Sequence, residues 1–271
     1  MLYYLGYFAA IFIGLSLGIL GGGGSILTVP VLVYLMGVSP VLSTAYSLFV
    51  VGTTSVVGAS GYFRKGLVSL KTAIVFLLPS LLAVFAVRKL LMPAIPHELF
   101  TIGHLVFTKD RLVLVAFAVL MVVAATSMIR SKQAEEVLAE ELHQQHTFRY
   151  PLILGIGLVV GTLTGFVGAG GGFLIIPALV LGARLPMKLA VGTSLAIIAL
   201  NSLIGFTGDI SAGTPIAWNF LLGFLAFALA GIVAGTYLAR FIPGARLKPA
   251  FGWFILAMGG FILLREMVFA P

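Results

Sequence analysis

Two glycine clusters interrupt apolar stretches of this chain, and hydroxyl and amide side chains follow both. The first lies in "LSLGILGGGGSILTVPVL", where Gly22, Gly23 and Gly24 precede Ser25. The second lies in "LTGFVGAGGGFLIIPALV", where Gly170, Gly171 and Gly172 stand in the same place. Downstream come Ser47 and Thr54 in the first case, and Thr193, Ser194 and Asn201 in the second. Bare glycine backbone admits a ligand close to its N–H groups. A helix that restarts after a break presents N–H groups without intrahelical partners and a positive end, and hydroxyls and amides add further donors. These groups suit a small oxyanion held between two helix starts, near Ser25 and Gly172, without a fixed cation. A single Ser or Thr in such a segment also bonds its own helix. The duplicated pairs Ser47/Ser194 and Ser55/Ser202, and Asn201, which is costly to bury alone, are the stronger candidates.

Other chemistries are poorly supplied. The chain has no Cys, which removes thiolate chemistry and disulfides. G-x-S-x-G occurs in "GLSLG" at 14–18, inside an apolar run whose glycines are spaced for helix packing; H-E-x-x-H does not occur, and no Lys-Ser/Thr follows the glycines as a phosphate-binding loop requires. His97 and His104 make a weak metal pair. No catalytic residue, metal or cofactor is expected, so the chain reads as a non-enzyme. Lys71, Arg88 and Lys89 fall near segment ends, where their heads are expected to snorkel to the interface. Asp209 follows "GFTG" at a segment end and is expected to face water. On this reading no buried carboxylate relay exists, and a coupling ion, proton or sodium, is left to the substrate, to loop groups or to backbone carbonyls.

The elements that must position the glycine clusters are membrane helices. Of 271 residues 61% are hydrophobic and 9% charged, with mean hydropathy +1.18, so the partner of most of the surface is the lipid bilayer. Apolar segments fall near 3–20, 25–37, 40–62, 69–92 and 111–129, then near 151–167, 172–183, 187–207, 216–240 and 249–269. Their patterning is not that of a β-barrel. The net charge of +8 rests in short loops and does not indicate nucleic acid. The first basic residue is Arg64, so no cleavable signal peptide is expected. The one long hydrophilic stretch, "IRSKQAEEVLAEELHQQHTFR", reads as a solvated linker helix.

The halves on either side of that connector repeat. A shift of 147 aligns Gly14, Gly18, Gly21, Gly23, Gly24, Leu27 and Pro30 with Gly161, Gly165, Gly168, Gly170, Gly171, Leu174 and Pro177, seven identities in seventeen positions. The same shift pairs Ser47-Leu48 with Ser194-Leu195, Ser55 with Ser202, and Gly58 with Gly205, while Thr54 meets Asn201. If the chain turns back at each break in a hairpin of two short arms, eleven basic residues lie on the connector's side and five opposite; if it passes straight through, the split is seven to nine. The positive-inside rule selects the hairpin. Each half then has three full spans, and the second enters from the opposite side. The expected fold is an all-α polytopic membrane protein of two inverted repeats, each a glycine-broken helical hairpin plus three transmembrane helices. Residues 1–129 form the first repeat, 130–150 a cytoplasmic connector and 151–271 the second repeat. Gly14, Gly18, Gly161, Gly165, Gly231 and Gly235, spaced by four, are assigned to close helix packing instead of binding.

"LGILGGGGSILTVPVL" with "TGFVGAGGGFLIIPALVL", each followed by a polar small-residue helix, "STAYSLFVVGTTSVVGAS" and "AVGTSLAIIALNSLIGF", resembles the sulfite/organosulfonate exporter (TauE/SafE-type) family of membrane transporters. "GIVAGTYLA" resembles that family's closing half. The resemblance covers nearly the whole chain. It implies a small anionic substrate, sulfur-containing or organic, moved across the bacterial inner membrane. The loop "PAIPHELFTIGHLVFTKDR" departs from the family by its length and is expected to shape an entrance. An anion channel and, in a different class, a membrane assembly protein are the competing readings.

Overall fold

The computed structural model describes residues 2–20, 23–102, 105–141, 150–168, 170–183, 185–238 and 244–266. Among the described residues it holds ten helices. Helix α1 (Leu2–Leu20) is followed by a composite α2: a 3-10 stretch Gly23–Leu27, one α turn Thr28–Pro30 and a π turn Val31–Leu35. Then come α3 (Pro40–Phe63) and α4 (Leu70–Ala94), whose last part includes a π turn, Val87–Leu91. A small antiparallel pair follows, β1 (Glu98–Ile102) with β2 (Leu105–Thr108), and then the long helix α5 (Lys109–Glu141). The second half repeats the order: α6 (Tyr150–Val167), then α7, an α part Gly172–Pro177 continued by a π turn Ala178–Gly182, then α8 (Met187–Ser211), α9 (Trp218–Leu238) and α10 (Gly244–Leu264).

Local chemistry accounts for these boundaries. Pro40 opens α3 at its first turn, where a missing N–H costs nothing, and Pro186 immediately precedes α8. The duplicated Pro30 and Pro177 are each followed at once by a π turn. A proline inside a helix removes a donor and crowds the preceding turn, and widening the next turn relieves it.

Contacts show that the chain reverses at both breaks. Gly24 lies against Ser16 and Leu17 of α1, and Met36 reaches Gly6, so α2 runs back along α1. Gly171 lies against Thr164, and Gly182 against Ile156, so α7 runs back along α6. The arms are unequal, which corrects the expectation of two short ones. The outgoing arms have 19 and 18 residues, about 28 Å of helix, enough to cross most of a bilayer. Only the returning arms are short.

The spacing of small residues decides which helices touch. In α1, Gly14 abuts the Ala228 carbonyl and Gly18 the Thr236 N–H, while Gly231 and Gly235 of α9 abut the Ile11 and Leu15 carbonyls. A methyl at any of the four would strike backbone. On the other side Gly161 of α6 lies against Ser80 of α4, 2.6 Å from its carbonyl oxygen for a built Cβ, and Gly165 lies against Val84. The packing role assigned to these glycines therefore holds. Helices α3 and α8 cross at the centre and are the most enclosed spans. The pairings come in exchanged sets: α1 packs on α9 and α6 on α4, α4 on α8 and α9 on α3, and α5 packs on α10. A layer of Ile26, Val29, Phe117, Met121, Phe173 and Ile262 ties both short arms to α5 and α10.

Among the described residues five helices are long and apolar enough to cross a membrane. Their outward faces carry bare hydrophobic side chains, such as Leu78 at 61% and Leu82 at 73% exposure, as a lipid-facing surface requires. The connector's first part is no separate element: α5 continues unbroken to Glu141, and 142–149 lie outside the described residues.

Candidate functional site

The two returning arms meet, the start of α2 against α7, beside the α3–α8 crossing. Both starts depend on missing side chains, by different means. Gly171 is the residue before the first turn of α7 and has φ +68°, a left-handed conformation that disfavours any side chain; Gly168 and Gly170 share it. Gly170 lies between Val51 of α3 and Ile198 and Ser202 of α8; a Cβ there would come 2.5 Å from Val51 Cγ1 and 3.1 Å from Ser202 Oγ. Gly172 begins the helix and is buried. At the first break, Gly23 opens the 3-10 stretch, and Gly24 is held by its close approach to α1. Gly22 lies outside the described residues.

The predicted polar groups divide. Ser25, Ser47, Thr54, Thr193, Ser194 and Asn201 are all fully buried. Thr54 donates to the Val50 carbonyl at 2.7 Å, and Ser194 to that of Val191 at 2.8 Å, so each spends its proton on its own helix. Thr193 accepts the Ser69 backbone N–H at 2.9 Å and fixes the loop before α4. The Ser47 hydroxyl and the Asn201 amide nitrogen have no partner among the described residues, although Asn201 Oδ1 lies 3.0 Å from Ser80 Oγ. Thr28, Ser55, Thr164 and Ser202 add four more buried hydroxyls without a partner there. A buried donor without a partner costs roughly 1–3 kcal/mol, so such a concentration marks a place that a polar ligand can satisfy.

Three sequence expectations about charge are overturned. Arg88 does not snorkel: it is 1% exposed. Asp209 does not face water: it is 5% exposed, with both carboxylate oxygens 3.3 Å from Arg88 Nη1. The reading of a site without a fixed cation or buried carboxylate falls with them. Arg88 Nη1 also donates to Thr44 Oγ1 at 2.9 Å, while Nε and Nη2 have no partner among the described residues. Nη2 lies so close to Gly168 that a Cβ there would clash with it, so this corner of the guanidinium packs against the second break. The helix-end contribution is correspondingly smaller than expected, because α2 starts as a 3-10 helix and the α part of α7 has six residues. The nearby positive charge is a side chain.

The reach of the two helices explains why the pair is buried. The apolar runs of the sequence end near 92 and 207, but α4 continues to Ala94 and α8 to Ser211, which moves both charges inward by part of a turn or more. Adjacent Arg88 and Lys89 point to different sides of the π turn: Lys89 is exposed over the Phe85 ring, and Arg88 is enclosed. Lys71 behaves as expected, exposed with its ammonium 5.2 Å from the Tyr150 ring.

A cavity of about 370 Å³ opens beside the start of α3, lined by Tyr34, Pro40, Asp110, Arg111, Arg265 and Glu266 among others. The long loop contributes to it through Thr108. Arg265 stacks 4.5 Å above the Tyr34 ring, and Arg111 lies 3.9 Å from Glu266. Asp110 accepts the Val41 N–H at 3.1 Å, and the Val41 carbonyl accepts the Thr44 hydroxyl that touches Arg88. Three residues thus link the cavity wall to the buried pair. His97 is exposed, and His104 lies outside the described residues.

The sequence model described as "Sulfite exporter TauE/SafE" matches residues 6–262. A "Probable membrane transporter protein" of Xylella fastidiosa (strain Temecula1) is 30% identical over 258 residues, covering 94% of this chain and 92% of that one. The "Probable membrane transporter protein YunE" of Bacillus subtilis is 26% identical over 235 residues, 82% and 83% of the two chains. A "Probable membrane transporter protein" of Haemophilus influenzae is 25% identical over 269 residues, 90% and 92%. No solved structure matches the chain. The apolar spans and the near full-length match agree: this is a multi-pass bacterial membrane protein and not an enzyme, and it belongs to the sulfite exporter TauE/SafE family.

Proposed function

We propose that the protein is a secondary transporter that moves a small sulfur-containing or organic anion, of the sulfite and organosulfonate class, across the inner membrane. The observation that carries this reading is the meeting of two glycine-broken hairpins beside buried hydroxyls and an amide that lack partners among the described residues. Backbone outside regular helix at membrane depth survives only within protein or against a wet cavity, and here it comes with donors suited to oxyanion oxygens. The substrate rests between the breaks, against Gly170, Gly171 and Ser202 on one side and Ser25 and Ser47 on the other. Purified protein in proteoliposomes tests this with a panel of sulfite, sulfonates, carboxylates and amines, with and without proton and sodium gradients. Saturable anion flux that follows a gradient supports a transporter. Conductive, non-saturating flux makes it an anion channel, and absence of flux across the panel removes the transport reading.

The inverted relation of the halves belongs to the same proposal. The exchanged helix pairings support a two-fold relation, and the distribution of basic residues supports opposite orientations, with the Arg64-Lys65 loop and the connector cytoplasmic. Lys65 and Ala212 are exposed and related by the shift of 147. Cysteines placed there label from opposite sides in inverted repeats and from the same side in parallel ones.

A further inference from the structure

Arg88 and Asp209 are the least expected groups in the molecule. An ion pair withdrawn from water gains little net stability, so its retention beside a glycine break calls for another use. Three features define what that use is. The pair is enclosed, with side-chain exposures of 0% and 8%. It is incomplete: Asp209 meets only Nη1, while Nε and Nη2 lack partners among the described residues. Nη2 packs against Gly168, where the chain has no side chain and the backbone is left-handed. A guanidinium whose Nε and Nη2 are unspent among the described residues is a fork suited to two oxygens of a sulfonate, sulfite or carboxylate.

Resting on the transport reading above, we propose that Arg88 is the fixed cation that receives the substrate anion, and that Asp209 takes up one proton for each anion bound, so that anion and proton cross together. Charge balance gives the reason. At rest the guanidinium is neutralised by the Asp209 carboxylate. An anion arriving on Nε and Nη2 would place two negative charges against one positive charge in a medium that cannot screen them. Protonating Asp209 restores a single pair: anion on Arg88, neutral carboxyl beside it. When the anion leaves, the carboxyl returns its proton and the carboxylate again holds Nη1.

The other charged groups nearby are committed elsewhere. Lys109 of α5 interacts electrostatically with both members of the pair, but its ammonium donates to the Met92 carbonyl. Asp110 accepts the Val41 N–H. From α3 the pair meets Thr44, which does not titrate. Lys89, next in sequence to Arg88, is exposed over Phe85. Asp209 is therefore the acid positioned to answer the arriving charge.

Methanesulfonate is the best probe, because it stays ionised across the working pH range and any proton taken up belongs to the protein. Its binding to purified wild type should weaken as pH rises and take up one proton per anion, read with a pH-sensitive dye in weak buffer. Asp209→Asn should bind as tightly as wild type or more tightly, lose the pH dependence and take up no proton. Arg88→Gln combined with Asp209→Asn leaves no uncompensated charge, should unfold near the wild-type temperature, and should bind about tenfold or more weakly. Proton uptake that persists in Asp209→Asn overturns the proposal, and so does wild-type affinity in the double variant. Either result leaves the transport reading standing if the panel anions still move, whereas a wild type that moves none of them removes the transport reading itself.

Discussion

The two glycine breaks share one sequence pattern and form different structures. At the second, Gly168, Gly170 and Gly171 all take left-handed backbone, and the chain turns sharply between α6 and α7. At the first, the described glycines have ordinary φ; Gly24 is required by its approach to Ser16 and Leu17, and the chain leaves as a 3-10 helix. The charge is divided in the same unequal way. Shifted by 147, Arg88 corresponds to Gly235 and Asp209 to Tyr62. Gly235 serves only to let α9 approach α1. One half thus retains a packing glycine where the other has a buried cation. The two halves offer comparable frames, and the buried pair joins them, its cation coming from the first and its carboxylate from the second.

Breaking that asymmetry should show most strongly at the ion pair. Arg88→Gln alone leaves Asp209 buried without its cation and is expected to lower stability by about 3–5 kcal/mol. Adding Asp209→Asn should recover most of the loss, as read from thermal unfolding in detergent. Gly235→Ala tests the corresponding position in the other half. It drives a methyl into the Leu15 carbonyl, with an expected cost of about 1–3 kcal/mol from overpacking, and Asp209→Asn should not relieve it.

The breaks themselves separate by the kind of strain. Gly66 has φ +68° with open space around it, so Gly66→Ala measures the left-handed cost alone, about 1–2 kcal/mol. Gly170→Ala adds the contact with Val51 and should cost more than that reference. Gly170→Leu should also abolish flux. Equal losses at Gly66 and Gly170 would mean that the second break is merely a turn. The smallest effects distinguish spent donors from free ones. Ser202→Ala and Asn201→Ala should weaken anion binding by about 1–3 kcal/mol each. Ser194→Ala and Thr54→Val should change it little, because those hydroxyls already bond backbone carbonyls.

Much of the frame was legible because it is set locally. The hairpins followed from a count of basic residues, and the packing glycines from their spacing of four. Asn201 was singled out for the cost of burying an amide, and its Nδ2 has no partner among the described residues. Thr193 was less legible, because the Ser69 N–H it accepts is brought near only by folding, whereas the bond from Ser194 to the Val191 carbonyl three residues back is local to its helix. Arg88 and Asp209 were misread because a few residues at a helix end decide whether a charge reaches the interface.

The sequence by itself determined that the chain lives in lipid, where its helices run and where they must break, because hydropathy and unsatisfied backbone act over a few residues at a time. It also contained the repeat and the family resemblance. Only the tertiary structure decided which polar groups lack partners and which charges meet. Arg88 and Asp209 are 121 residues apart, and nothing local to either predicts the other. They meet because α4 packs along α8 while Gly168 leaves room at the turn, and in a low-dielectric interior that one juxtaposition sets the charge beside the second break.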